Sequence, residues 1–107
     1  MTDAVMRKWE AQIARSDIPV WKEAFMARVL PVMRDIDGFG GISVLASQDS
    51  DPCKMTVLTR WKDMAAIKAL AGDDPAKTYL PDFMEPFFPS YDEQATFHDE
   101  VVLEVTR

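Results

Sequence analysis

The sequence predicts an α+β domain whose elements follow the order β-α-β-β-α-β. Three observations support it: alternating side chains near both ends, an apolar stripe at helical spacing between them, and a dense turn signal joining two strand-like segments. A chain of 107 residues is long enough for one such domain and too short for two. Residues 1–107 are therefore expected to form a single domain.

The first strand is expected over residues 4–13. Alternate residues share one side of an extended chain there: Val5, Arg7, Trp9, Ala11 and Ile13. Met6 and Arg7 make the alternation imperfect, because each places the wrong polarity on its side. A strand remains the better prediction for this segment.

A helix is expected next, capped by Ser16 or Asp17 and with Pro19 in its first turn. Its apolar stripe would consist of Trp21, Phe25, Val29, Val32, Met33 and Ile36. Pro31 lies inside the stripe and lacks an N–H. We therefore expect an interruption near Ala27, whose carbonyl loses its partner.

A hairpin is expected after the helix ends at Asp37-Gly38. Its strands would span residues 41–47 and 54–61, joined by the turn-rich residues 48–52. Asp63 then caps a second helix that stops at Gly72.

The chain continues from Asp74-Pro75, where a short helix or turn should begin, into an ordered, aromatic-lined loop over residues 79–93. A last strand is expected over residues 94–105. This order is the ferredoxin-like arrangement, an antiparallel sheet with two helices on one face. The other face would expose a large apolar patch, so we expect a homodimer in which a second copy covers it.

Composition argues against several classes of partner. The formal charge is −6, and no run of Lys or Arg suits a nucleic acid or an anionic membrane surface. No apolar stretch approaches the ~18 residues of a spanning helix, and residues 1–6 lack the order of a signal peptide. Cys53 is the only cysteine, so an intramolecular disulfide is impossible and a cytoplasmic location is expected.

Three segments resemble one known family. Residues 59–75 contain a strand end, Trp61, the acidic cap Asp63, Ala-Ile and Ala-Gly, followed by acidic residues. Gly38-Phe39-Gly40-Gly41 is similar to a turn entering the second strand, and residues 97–102 are similar to a His-containing end strand. Together they resemble antibiotic-biosynthesis-monooxygenase-like proteins over nearly the whole chain.

The resemblance implies a dimer whose two sheets form an α/β barrel. Some members of that family oxidise polycyclic aromatic substrates with O₂ and no cofactor, others degrade haem, and many have no established reaction. Both chemistries use an Asn, and this chain has none. Either reaction would therefore need substitute residues here.

Two residues are the leading candidates for chemistry. His98, the only histidine, is the candidate catalytic proton acceptor, because imidazole exchanges protons near neutral pH. Glu100 on the same strand side would orient it. The alternative is a partly exposed strand histidine. Trp61 is a candidate stacking wall, and its alternative is a core residue under the second helix.

Further substrate-binding candidates are Tyr79, Phe83 and Arg60. Tyr79 and Phe83 would form a pocket wall, or would simply pin the proline-rich loop to the body. Arg60 would anchor an anionic substrate, or would form a surface ion pair. Metal binding is not expected, because one His and one Cys supply no ligand cluster.

Two functions follow as expectations. The first is a monooxygenase-like enzyme without metal, flavin or other cofactor, acting on an aromatic or quinone-type small molecule. The second is a non-catalytic dimer that binds a small hydrophobic ligand or serves a stress-related role. Haem binding is a third possibility.

Overall fold

A central strand organises the sheet. The computed structural model describes residues 4–102. Strand β1 (Val5–Ile13) pairs antiparallel with β3 (Cys53–Trp61) on one side and with β4 (Ser90–Tyr91) and β5 (Thr96–Asp99) on the other. Strand β2 (Phe39–Ala46) pairs with β3 and forms an outer edge, which gives the order β2-β3-β1-β4. The predicted α+β, ferredoxin-like fold is confirmed.

The alternation in β1 sets which face of the sheet is buried. Arg7, Trp9, Ala11 and Ile13 are buried, whereas the residues between them are exposed or half-buried. On β3 the buried residues alternate in the same way and lie beside those of β1. This face packs against the helices, as the pattern predicts.

One helical segment crosses the buried face. It consists of α1 (Ile18–Ala24), a π-helical turn (Phe25–Val29) and α2 (Leu30–Arg34). The Leu30 N–H donates to the Phe25 carbonyl, five residues earlier, which accommodates Pro31 just beyond it. The predicted interruption is therefore present, and it takes the form of a widened turn.

The widened turn changes which residues face the core. The π-helical turn contains one more residue than an α-helical turn, so the side chains after it point in a different direction from that of a regular helix. As a result, Leu30 and Met33 face the core, whereas Val32 is 47% exposed. The prediction that Val32 belongs to the apolar stripe is therefore wrong. Leu30 takes the place of Val32 in the core.

The second helix, α3 (Met64–Ala71), begins and ends as predicted. The Asp63 carboxylate accepts a hydrogen bond from the Ala66 N–H at 2.9 Å, and Gly72 follows the helix with a φ of 91°. At Asp74 the chain makes a turn in which the carboxylate accepts from the Ala76 N–H.

The last predicted strand differs from the observed one. Instead of one strand over residues 94–105, the chain forms the two-residue β4 and then β5, separated by residues 92–95. Both pair with β1, but they pair with different parts of it. Residues 103–105 of the prediction lie outside the described residues.

The core has two parts. The larger part lies between the sheet and the helical segment and includes Trp9, Trp21 and Phe25. The smaller part, formed by Trp61, Ala66 and Ile67, lies beneath α3. None of the helices within residues 4–102 has the length and apolar character needed to cross a membrane.

The face of the sheet turned away from the helices is here called the open face. Its side chains alternate with the buried ones: Met6, Lys8, Glu10, Gln12, Ser43, Leu45, Lys54, Thr56, Leu58, Arg60, Ser90, Thr96 and His98. Only Met6, Leu45 and Leu58 among these are apolar. The expected large apolar patch is therefore wrong in its extent, because most side chains on this face are polar or charged.

Candidate functional site

An apolar cavity lies between the buried face of the sheet and the helical segment. Its empty space is about 550 Å³ when the solvent in its open mouth is counted, but the part that can hold the centre of a water molecule is only about 60 Å³. Strands β1 and β3 form its floor, and residues 79–88 close its outer side. Its lining includes Arg7, Trp9, Thr59, Trp21, Tyr79 and Phe88.

Aromatic rings form much of the cavity wall. The rings of Trp9 and Phe88 meet edge to face with centroids 5.4 Å apart, and those of Trp21 and Phe25 do so at 5.0 Å. Trp21 also contacts Phe88 at 6.4 Å, which joins the helical segment to the loop. Edge-to-face packing stabilises each pair and fixes the planes of the rings in the wall.

Trp9 is held by its polar edge. Its indole N–H donates to the Asp92 carbonyl at 2.8 Å and to the Thr78 hydroxyl at 3.2 Å. The Thr78 hydroxyl in turn donates to the same carbonyl of Asp92. The orientation of Trp9 on β1 therefore depends on Thr78 and Asp92, which lie near the two ends of the loop.

Arg7 supplies the positive charge in the cavity. Only 6% of the residue is exposed, because it lies on the same buried side of β1 as Trp9. Its Nε donates to the Pro75 carbonyl at 3.1 Å and its Nη2 to the Lys77 carbonyl at 2.6 Å. Both partners are neutral, and within residues 4–102 no carboxylate lies within ion-pair distance of the guanidinium.

Burial lowers the pKa of Arg7 from its ordinary value, because the charged form loses contact with water. A guanidinium nevertheless stays protonated in proteins. The cavity therefore contains a buried cation that backbone carbonyls solvate and that no negative side chain of the described chain neutralises.

Thr59 connects the cavity to the smaller core cluster. Its buried hydroxyl accepts a hydrogen bond from the Trp61 indole N–H at 2.8 Å and donates to the Arg7 carbonyl at 3.4 Å. The hydroxyl thus satisfies a fully buried indole and leaves the cavity floor without a free polar group at this point.

The lining contains no evident general base. In the described part of the chain, no His, Asp, Glu, Lys or Cys borders the cavity. Among the lining residues that the structure describes, only Arg7 and Tyr79 are ionisable. A reaction in this cavity would therefore need a substrate that arrives already ionised, or a base from elsewhere.

Tyr79 and Phe83 take different positions in the loop. Tyr79 lines the cavity, as expected for a wall residue. Phe83 packs against the larger core cluster, and the Arg28 guanidinium lies 3.7 Å above its ring centroid. This cation–π contact ties the loop to the helical segment.

Trp61 lies outside the cavity. It is fully buried in the smaller core cluster, where its ring meets Phe39 at 5.2 Å. Its hydrogen bond to Thr59 is its link to the cavity floor.

Arg60 and His98 lie on the open face, on the opposite side of the sheet from the cavity. Arg60 forms an ion pair with Glu100. The His98 Nε2 is 2.8 Å from the Thr96 hydroxyl and lies opposite Met6 of β1. The structure therefore brings Tyr79 to the cavity but does not bring Arg60, Trp61 or His98 into it.

A metal site is not formed by the described residues. No group of three or more His, Cys, Asp or Glu side chains within residues 4–102 is arranged to hold an ion. Cys53 is buried, and its thiol donates to the Ile13 carbonyl at 3.4 Å.

A second, more open cleft lies between the helical segment and the edge strand β2. It measures about 1040 Å³ including the solvent in its mouth, and Met26, Leu45, Lys22 and Arg34 border it. Trp21 and Phe25 separate it from the cavity, since they line both.

Comparison with known proteins gives a clear answer for the fold. No protein-family model and no curated protein matches the sequence. Solved structures do match, and several are antibiotic biosynthesis monooxygenase proteins. The likeness shows the fold.

The matching structures include the following three, for which an activity or a bound ligand is stated. A monooxygenase from the ActVA-Orf6 gene of Streptomyces coelicolor, in complex with nanaomycin D, is 15% identical with a TM-score of 0.63, covering 99% of this chain and 94% of its own. SnoaB, a cofactor-independent oxygenase from Streptomyces nogalater, is 15% identical at 0.59, with coverages of 96% and 97%. MhuD, a heme-degrader from Mycobacterium tuberculosis with two hemes bound, is 21% identical at 0.59, with coverages of 94% and 99%.

Sequence reasoning missed Arg7 as a site residue. A signal for it was present, because Arg7 interrupts the apolar side of β1 between Val5 and Trp9. A charged residue on the buried side of a strand is rare unless it is paired or functional. Phe88 and Trp21 carried no such signal, because aromatic residues are ordinary in a core.

Proposed function

We propose that this protein is a cofactor-independent, monooxygenase-like protein that acts on an aromatic or quinone-type small molecule bound in the cavity. The aromatic walls and the buried Arg7 are the observation that supports it. A mostly apolar cavity with few polar groups is the usual form of a small-ligand site. The fold shared with nanaomycin-bound and cofactor-independent oxygenases agrees with this proposal.

The proposed reaction needs no electron donor besides the substrate. For an anthrone-type substrate, a CH₂ group becomes a carbonyl and loses four electrons to O₂. One oxygen atom enters the product and the other leaves as water. The cavity would contribute a dry, aromatic environment that orients the flat substrate and excludes bulk water.

In this proposal Tyr79 is a wall of the substrate site, with Trp9, Trp21 and Phe88 as further walls. Phe83 supports the same loop from outside. Trp61 would act through Thr59, which it holds in place beneath the cavity. His98 as proton acceptor and Arg60 as anion anchor stay predictions, and both would require a substrate that reaches the open face.

Oxygen uptake tests the proposal. Purified protein is incubated with anthrones or hydroquinones while dissolved O₂ is monitored, and we expect uptake above the uncatalysed rate. His98→Ala tests the histidine, because loss of a proton acceptor lowers a rate typically about 10²-fold or more. Equal rates for wild type and His98→Ala would remove His98 from the mechanism. No uptake with any substrate would remove the enzymatic proposal.

The second candidate is a non-catalytic protein that binds a small ligand, or serves a stress-related role, with the same fold. The absence of an acid or base among the described lining residues favours it. Saturable ligand binding without O₂ uptake would support this candidate over the first.

We also propose a homodimer, in which the open face of one copy covers that of the other. Support comes from the position of the helices, which cover only one face of the sheet. The solitary Cys53 agrees with a cytoplasmic location, which stays a prediction.

A further inference from the structure

We infer that the cavity binds its aromatic ligand as an anion, with the negatively charged oxygen on the Arg7 guanidinium. The ligand class is a flat aromatic acid, either a carboxylate or an ionised hydroxyquinone. This inference rests on the proposed function for its site and adds the charge state of the ligand to it.

The Arg7 guanidinium has N–H groups that no described residue uses. Two of its five N–H groups are used by the Pro75 and Lys77 carbonyls, and its Nη1 makes no hydrogen bond within residues 4–102. A buried charge is ordinarily paired, because desolvation costs several kcal/mol per ion, of the order found for buried pairs. The Arg7 residue is only 6% exposed, and the hydrogen-bond partners of its guanidinium within residues 4–102 are neutral carbonyls.

Arg7 is the only charged residue among the described cavity-lining residues, and the others are apolar or neutral. A low-polarity wall strengthens the attraction between the cation and an incoming oxygen anion. No carboxylate of the lining competes for the guanidinium, which presents a planar fork suited to carboxylate oxygens.

The described cavity lining limits how a bound substrate can become ionised. A cavity without a base among its described lining residues cannot ionise a neutral substrate. For a substrate whose ionised hydroxyl is conjugated with the reacting carbon, a cation that selects the anion brings the electron-rich form into the cavity, and no base is needed there. A carboxylate on the Arg7 guanidinium would orient the substrate but would not replace proton abstraction.

Matched ligand pairs test the inference by titration calorimetry. The first pair is 2-naphthoate and its neutral isostere 2-naphthamide. The second is 2-hydroxy-1,4-naphthoquinone, ionised near neutral pH, and its methyl ether. We expect the anion of at least one pair to bind about ten-fold to one hundred-fold more tightly, as for a hydrogen bond to a charged group. The pair that shows the preference identifies whether the site suits a carboxylate or an ionised hydroxyquinone.

Arg7→Met should abolish the preference, which is measured as the ratio of the two affinities within a pair. Loss of the hydrogen bonds to the Pro75 and Lys77 carbonyls lowers the affinity for both members of a pair together and leaves that ratio unaffected. Arg34→Met is the matched control, because it also removes one arginine charge but lies at the second cleft, and it should keep the preference. A purely structural role of Arg7 would lower the affinity for both members of a pair equally.

Two outcomes of the wild-type titrations overturn the inference. Equal affinity for both members of each pair rejects the charge state and leaves the cavity as an aromatic site, even if Arg7→Met does not fold. Absence of binding by all four ligands rejects the proposed site as well.

Discussion

The Thr59 hydroxyl serves two structures at once, because it lies on the cavity floor and satisfies the buried Trp61 indole. Thr59→Val keeps the shape of the side chain but removes the only acceptor that this indole has within the described residues. We expect a loss of about 1–3 kcal/mol in the free energy of unfolding. Chemical denaturation with fluorescence detection measures it.

Thr56→Val is the control for that experiment. Thr56 lies on the same strand but on the open face, where its hydroxyl donates to Glu10 at 3.0 Å and is partly solvated. A loss of about 1 kcal/mol or less is expected there. Similar losses for the two variants would contradict the role assigned to Thr59.

At this scale the sequence identified some residues and not others. It placed Arg7 on the same side of β1 as Trp9, and the structure buries both. It did not indicate that Arg7 faces a cavity, because the carbonyls that bind it are about seventy residues away along the chain. Contacts of that range depend on the path of the loop, which no local pattern specifies.

At the scale of elements, the turn between α2 and β2 depends on Gly38. Its φ is 99°, and a Cβ there would lie 2.8 Å from the Ala66 Cβ and 3.2 Å from the Lys62 Cβ. Gly38→Ala therefore combines backbone strain with a collision against α3. Gly72→Ala has a similar φ of 91° but meets nothing within 4 Å.

We expect Gly38→Ala to destabilise the fold by about 1–3 kcal/mol more than Gly72→Ala, which is the usual cost of overpacking. The difference isolates the collision, because both variants carry the strain of an alanine at positive φ. Thermal or urea unfolding of the two variants provides the comparison. Equal losses would mean that the approach of α3 to Gly38 relaxes without cost.

The sequence predicted the ends of α3 correctly, but it did not predict the π-helical turn between α1 and α2. The Asp63 cap and the stop at Gly72 were predictable, because both depend on neighbouring residues alone. The stripe was wrong only at Val32, whose place in the core is taken by Leu30, since a fixed helical period does not include a π turn. Pro31 marked the place of the irregularity but not its form.

At the scale of the whole molecule, the proposed dimer depends on the open face. Leu58 is half-buried at its centre, between Lys8 of β1 and Ser43 of β2. Leu58→Lys would add a charge beside Lys8, so we expect it to separate a wild-type dimer into folded single chains. Val32→Lys is the control on the helical side, where the residue is 47% exposed.

Sedimentation at micromolar protein tests both variants together with the wild type. The wild type and Val32→Lys are expected to sediment with the mass of two chains, and Leu58→Lys with the mass of one. A wild type that sediments as a well-folded single chain would reject the dimer.

The order and pairing of the strands followed from the sequence, because the alternation, the hairpin signal and the helix caps agree on one topology. The cavity did not follow, because it exists only where residues 79–88 fold back against the helical segment. Proline-spaced aromatics predict an ordered loop, but they do not specify which surface it covers.

The attachment of residues 75–92 has a consequence for exchange with solvent. This segment is joined to the sheet by the two-residue β4, an isolated bridge between Lys77 and Gln94, and the side chains of Arg7 and Trp9. Segments with so few ladder bonds open at a lower free energy than the strands beneath them. We therefore expect the backbone amides of this segment to exchange with solvent sooner than those of β1 and β3, which would open one side of the cavity to a small molecule without global unfolding.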